Sequence, residues 1–175
     1  VLIVILVYIV MATQFESLLF PFIIMFTIPF AFTGVFLALW MTSTPLSLIA
    51  LIGAIMLVGI VTKNGIVMVD YMNLLIERGS GVFDAVIAGG KSRLRPVLMT
   101  SFTTILGMLP LAIGTGAGSE TWQPMGIAVI GGLTFSTILT LFIVPVLYSI
   151  LVNRSQRKER EKLARLSAEH QASKH

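Results

Sequence analysis

Gly59-Ile-Val-Thr-Lys63-Asn-Gly-Ile-Val-Met-Val-Asp70-Tyr71 lies inside an apolar stretch that runs from Pro45 to about Ile76. A lysine in the middle of a membrane span is costly, about 2.5–3.5 kcal/mol by insertion scales, so its default reading is functional. The rest of the chain decides what this lysine does.

The surrounding composition sets the class. Hydrophobic residues make up 56% of the 175, charged residues 11%, and the mean hydropathy is +0.96. Before Lys63 the one formally charged side chain is Glu16. Spans of about 20 apolar residues cross the hydrocarbon core as helices. The expectation is an all-α membrane protein. The chain has no cysteine, which excludes disulfide frameworks, zinc–thiolate sites and thiol nucleophiles. The pI of about 9.8 raises nucleic acid as a partner, but the basic residues cluster in segments flanking the spans. Membrane lipid, not nucleic acid, is the expected contact.

Five hydrophobic segments follow one another: Val1–Thr13, Phe20–Trp40, Ser47–Ile76, Pro96–Ile113 and Met125–Val152. Pro96 is read as a first-turn proline of the fourth span. Pro29, Pro110 and Pro145 are read as kinks or ends. The chain enters its first segment at Val1 with no basic region ahead of it, unlike a secretory signal. It reads as a helix entered partway, so the expectation is the C-terminal piece of a larger membrane protein.

Basic residues orient the bundle. Arg78, Lys91, Arg93 and Arg95 lie between the third and fourth spans, and seven more Lys and Arg residues follow Val152. Both segments are expected in the cytoplasm. The Thr42–Leu46 turn and the Gly114–Gln123 loop carry no Lys or Arg and are expected outside. Two further elements are read as lying outside the bilayer. Gly81–Gly90 suggests a short amphipathic helix on the cytoplasmic surface, with Val82, Phe83, Val86 and Ile87 on its apolar face. Residues 153–175 read as a charged, solvated cytoplasmic tail. In the fifth span Ala128, Gly132 and Ser136 form a small-residue stripe that favours close helix approach.

The polar candidates lie on two helices. Lys63 and Asp70 are seven residues apart and share a helical face, with Asn64 beside the lysine. Thr100 and Thr104 are one turn apart on the next span, flanked by Ser101 and Thr103. Asp70 could equally pair with a nearby arginine, and the hydroxyls could bond back to their own helix. A buried ammonium needs an anionic partner. For Lys63 that partner is either Asp70 by a long reach or a carboxylate on another segment. Such a lysine–carboxylate pair makes a proton switch: protonating the acid removes the counter-charge and lets helices rearrange.

Here the residues become familiar. Gly59–Tyr71 resembles the tenth transmembrane helix of resistance-nodulation-division (RND) efflux pumps. Ala88-Gly-Gly-Lys-Ser-Arg-Leu-Arg-Pro-Val-Leu-Met-Thr100-Ser-Phe-Thr-Thr-Ile-Leu-Gly-Met-Leu-Pro-Leu-Ala112 resembles the family's next loop and eleventh helix, and Gly114-Thr-Gly-Ala-Gly-Ser119 its following outer loop. Phe15-Glu-Ser-Leu and Pro21-Phe resemble the turn between the eighth and ninth helices. The resemblance implies a proton-driven antiporter of the bacterial inner membrane, with its C-terminus cytoplasmic. It implies the AcrB-like branch that exports amphiphilic compounds. Residues 1–152 would be the last five helices of the second six-helix repeat. Lys63 would pair with two aspartates on a helix of the first repeat, with Thr100, Arg93, Asn64 and Asp70 as further relay candidates. The implied partners are the remainder of the same pump, two further copies in a homotrimer, a periplasmic adaptor and an outer-membrane channel, with no cofactor. A protein-export auxiliary of the SecD/SecF type is the alternative within the superfamily, and a truncated fragment that does not itself transport is the other. A membrane-embedded enzyme is disfavoured: there is no His-Glu-x-x-His or Gly-x-Ser-x-Gly, and both histidines fall in the tail. The nine methionines are scattered and read as core filling rather than a metal path.

The charge asymmetry yields a direct test in a chain free of native cysteine. An impermeant thiol reagent added from outside should modify a cysteine placed at Ser119 and spare one placed at Ser92. The reverse pattern overturns the topology.

Overall fold

The computed structural model describes residues 2–16 and 18–172 and, beyond Arg154, the side chains of Arg157, Glu161 and Lys162 only. Among the described residues, six helices follow one another: α1 (Leu2–Phe15), α2 (Leu19–Met25), α3 (Ile28–Met41), α4 (Leu48–Glu77), α5 (Val82–Ile113) and α6 (Ser119–Ala172). Among the described residues, four stretches are long and apolar enough to cross a membrane: Leu19–Met41, Leu48–Glu77, Val82–Ile113 and Ser119–Arg154. The all-α membrane architecture read from composition is the observed one. α1 is apolar but, at about 1.5 Å per residue, rises only about 21 Å.

Local chemistry explains the boundaries. Ser47 caps α4 by accepting a hydrogen bond from the Ala50 amide at 3.2 Å. The second span breaks between α2 and α3. Pro29 has no N–H to continue the ladder, and the Thr27 amide and hydroxyl both donate to the Ile24 carbonyl, at 3.0 and 2.6 Å. Gly114 ends α5 in the left-handed region, φ +75°.

α5 corrects two expectations. Gly81–Gly90 is not a separate surface helix; it is the first part of one 32-residue helix. Pro96 lies within that helix rather than at its first turn. The turn from α4 therefore shrinks to a few residues around Gly79, and Lys91, Arg93 and Arg95 ride on helix. The buried face is also different. Ala85 and Gly89 are buried, while Phe83 is 71% exposed. A Cβ on Gly89 would meet Met72 Cγ at 2.6 Å, so small residues let α5 lie against α4 where bulky ones could not.

α6 is the central helix and packs against α2, α3, α4 and α5. Its small-residue face makes this possible. A Cβ on Gly131 would meet Ala38 Cβ at 2.0 Å, one on Gly132 would meet Leu57 Cδ2 at 2.1 Å, and one on Gly126 would meet the Ala112 amide at 2.8 Å. Ala128, Gly132 and Ser136 are all buried, as the stripe implied. One core cluster joins Val35, Leu39, Leu57, Val61 and Leu133; a second, toward the other end, joins Met11, Ile23, Met68, Met72 and Tyr148. The burial of Met11, Met68 and Met72 fits gap filling. Contacts of Gly53 with Met125, Leu57 with Gly132 and Asn73 with Tyr148 set α4 parallel to α6. α5 runs antiparallel to both: Gly126 meets Ala112, Ser101 meets Thr137, and Met72 meets Gly89.

Gly126→Ala should lower stability by about 1–3 kcal/mol, because the methyl group meets backbone that cannot rotate away. Gly107→Ala, with nothing within 4 Å of the new Cβ, should be nearly neutral. Reversible unfolding in mixed micelles separates the two.

Candidate functional site

One face of α4 is left open along its whole length. Ile52, Met56, Gly59, Lys63, Asp70, Leu74 and Glu77 are exposed, with half-buried Val67 filling the step between Lys63 and Asp70. Steps of three and four residues make a straight seam suited to a neighbouring helix. The opposite face, including Val58, Val61, Thr62, Gly65, Met68 and Val69, is buried in the bundle. Lys63 therefore lies at mid-span but outside the core of this chain. Asn64, the next residue, is 7% exposed and turned inward.

Among the described residues Arg157 and Glu161 form an ion pair at 3.3 Å, solvent-exposed and one turn apart on α6. Lys63 and Asp70 are not ion-paired with each other, and Asp70 is not paired with Arg78, Lys91, Arg93 or Arg95. Seven residues separate Lys63 from Asp70, about 10 Å along the axis. Neither internal partner considered for these two groups is engaged.

On α5 the threonines bond back to their own helix. Thr100 Oγ1 donates to the Pro96 carbonyl at 2.9 Å, Thr103 to Met99 at 2.8 Å and Thr104 to Thr100 at 2.9 Å. Thr100 is exposed, and the register set by Met72 and Gly89 puts it near the depth of Lys63. Arg93 lies toward the other end, with its guanidinium carbon 4.6 Å from the centroid of the Tyr71 ring. That is a cation–π contact. Its Nε is buried with no hydrogen-bond partner. Ser92 donates to the Tyr71 hydroxyl at 3.4 Å, a long bond. The structure thus sets Lys63, Asn64 and Asp70 on α4 and Thr100 and Arg93 on α5, with no hydrogen bond or ion pair joining any two of the five. Among the described residues no three His, Asp or Glu side chains converge as a metal site would require.

Several polar contacts escaped the sequence reading. Ser101 on α5 and Thr137 on α6 share a buried hydroxyl–hydroxyl bond of 2.9 Å. Tyr148, fully buried, donates to Asn73 Oδ1 and stacks on Phe20 with ring centroids 5.8 Å apart. Thr62 Oγ1 and Ser136 Oγ are buried without partners. These pairs are separated by 36 and 75 residues, so no local spacing could disclose them. Tyr71 had a usable signal: it closes the lysine motif eight residues on.

Residues 1–152 match the model of the AcrB/AcrD/AcrF family. The multidrug resistance protein MdtC of Erwinia tasmaniensis is 43% identical over 155 residues, covering 88% of this chain and 15% of that protein. MdtC of Erwinia amylovora is 44% identical with the same coverage, and MdtC of Pantoea ananatis is 44% identical over 156 residues, 88% of this chain and 15% of that protein. A crystal structure of a heavy metal efflux pump superposes with a TM-score of 0.77 at 32% identity, covering 86% of this chain and 14% of that one. The chain therefore spans about one seventh of the length of the relatives it matches.

The Ser101–Thr137 bond is open to measurement. A double-mutant cycle of Ser101→Ala and Thr137→Val should give a coupling of about 0.6 kcal/mol, the usual size for a hydrogen bond between membrane helices. A coupling of zero would mean the two hydroxyls do not bond.

Proposed function

This chain belongs to the AcrB/AcrD/AcrF family of RND membrane transporters, and from that we propose that it forms the lysine-bearing side of a proton relay in a proton-driven efflux pump. The observation that carries the reading is Lys63 at mid-span on the open seam of α4, with no carboxylate of the described chain paired to it. An ammonium at that depth requires an anion, and an exposed helical seam is where a neighbouring helix would deliver one. In this reading the anion is a pair of carboxylates on another part of the same pump. When a carboxylate takes a proton, its attraction for Lys63 is lost and the seam loosens; when it releases the proton, the seam closes again.

Thr100, near the same depth, supplies a hydroxyl to the seam. Breaking its bond to the Pro96 carbonyl frees its hydrogen for a carboxylate. Arg93 holds its position through Tyr71 and keeps a donor, Nε, unspent. Asn64 and Asp70 are secondary members: the first is turned inward, the second lies about two turns away on the seam. Residues 1–152 would be the last five helices of the second six-helix repeat. The tail beyond residue 152 would lie in the cytoplasm of a bacterium whose inner membrane holds the pump.

The exported compounds we infer are amphiphilic. The MdtC relatives are named for multidrug resistance, and methionines Met11, Met68 and Met72 are buried as packing rather than lining a path. A homotrimer working with a periplasmic adaptor and an outer-membrane channel completes the proposed assembly. The chemistry is secondary active transport, in which the chain breaks no covalent bond of its cargo.

In the full-length protein, Lys63→Ala should reduce proton-coupled efflux to the level of cells without the pump, while expression and assembly stay near wild type. Thr100→Ala should impair efflux less completely, because it removes one hydrogen bond and no charge. Efflux is read as dye accumulation together with proton flux in reconstituted vesicles. Wild-type drug resistance in the Lys63→Ala strain would rule the relay role out.

A further inference from the structure

α3 and α5 both pack on α6 but do not touch each other at the end of the bundle formed by the Thr42–Leu46 turn and the Gly114–Gln123 loop. They leave a pocket of about 430 Å³, within the range of small-molecule sites. Leu109, Ile113, Ile127 and Ile130 supply apolar walls, and Thr42, Thr44 and Gln123 the polar groups. The pocket is far along the bundle from Arg93 and Tyr71 and shares no residue with the lysine seam. Trp40, 81% exposed, and Trp122, 49% exposed, lie at the same end, where aromatic residues mark the membrane–water boundary.

The polar groups have already committed their hydrogens. Thr42 Oγ1 donates to the Ala38 carbonyl at 2.9 Å, so the 2.8 Å contact between the Thr42 and Thr44 hydroxyls uses the Thr44 hydrogen. Gln123 Nε2 donates to the Ala112 carbonyl at 3.1 Å, satisfying an end carbonyl of α5. What remains is mainly acceptor capacity: the lone pairs of the two hydroxyls and the Gln123 Oε1, against one spare amide hydrogen. Neither loop at this end contains Lys or Arg. A phosphate head group, all acceptor and negative, would meet little to hold it.

We propose that this pocket binds a single-tailed amphiphile whose head group donates hydrogen bonds, of the class of a long-chain alcohol. The tail lies along Leu109, Ile113 and Ile127, and at the boundary marked by the tryptophans the head donates its one hydrogen to the Thr44 hydroxyl and accepts the spare amide hydrogen of Gln123. Binding here does not depend on the proton relay, and the test below reads no transport.

The full-length protein in phosphatidylcholine nanodiscs is photolabelled with a diazirine-bearing long-chain alcohol, and labelled peptides are located by mass spectrometry. Saturable labelling is expected in residues 38–44 and 109–131. Dodecanol should compete at a concentration at least tenfold lower than dodecyl methyl ether, which has no donor. Ile113→Trp, at an exposed wall position, should cut the labelling at least fivefold; Phe142→Trp, on the exposed face of α6, should not change it. Thr44→Val should narrow the alcohol–ether difference to less than threefold, which tests the head-group contact even if the tryptophan variant fails to fold. Labelling that does not saturate, equal competition by alcohol and ether, or equally saturable labelling of the same segments by a photoactivatable phosphatidylcholine would each overturn the proposal.

Discussion

The structure depends on how closely backbones approach along one face of α6. In a bilayer, lipid tails are as apolar as leucine, so burying side chains against protein gains little over leaving them in lipid. Cohesion comes from contact area, and contact area grows as helices close in. Gly126, Gly131 and Gly132 allow α5, α3 and α4 in turn to sit within methyl-group distance of α6. The site inherits its geometry from this. The parallel register of α4 and α6 turns Thr62 and Gly65 inward and leaves Lys63 on the opposite edge, so the packing of one glycine-rich helix fixes where the charge lies.

That arrangement divides the polar groups by role. The inward ones are paired across helices or held among apolar neighbours: Ser101 with Thr137, Tyr148 with Asn73. They specify register. The outward ones, Lys63, Asp70 and Thr100, bond to nothing beyond their own helices among the described residues. Ser101, Thr137, Tyr148 and Asn73 have spent hydrogen bonds on packing, whereas Lys63 and Asp70 on the open seam make no ion pair among the described residues.

Much of this was legible in the residues, for identifiable reasons. The α4 limits followed from the long apolar run, and the observed helix, Leu48–Glu77, differs from the Ser47–Ile76 reading by a residue at each end. Pro29 announced the break in the second span because a missing N–H acts locally. The α6 stripe was visible because small residues recur at helical spacing. α5 was misread where tertiary contact overrode local signal. Gly89, Gly90 and Pro96 suggest a chain that stops and restarts, yet the packing of Gly89 on Met72 and Arg93 on Tyr71 carries one helix through all three. Its apolar face was assigned by hydrophobicity, whereas the buried face is chosen by small size. Of the site, the residues were legible and their separation was not: which hydroxyl looks inward is decided by helices 36 residues away.

The continuity of α5 has a consequence for membrane thickness. From Pro96 to Ile113 the helix is free of charge and rises about 27 Å, close to the thickness of a thin bilayer's hydrocarbon core. Immediately below come Arg95, Arg93 and Lys91, without an intervening loop to absorb a mismatch. The helix thus carries a fixed waterline. In a thicker membrane its basic end is pulled toward hydrocarbon, and the alternatives are to straighten the helix or to thin the lipid around it. In a thinner one it must lean. Because Ser101 and Ala112 tie α5 to α6, that lean is shared with the central helix, and bilayer thickness becomes a mechanical input to the whole bundle.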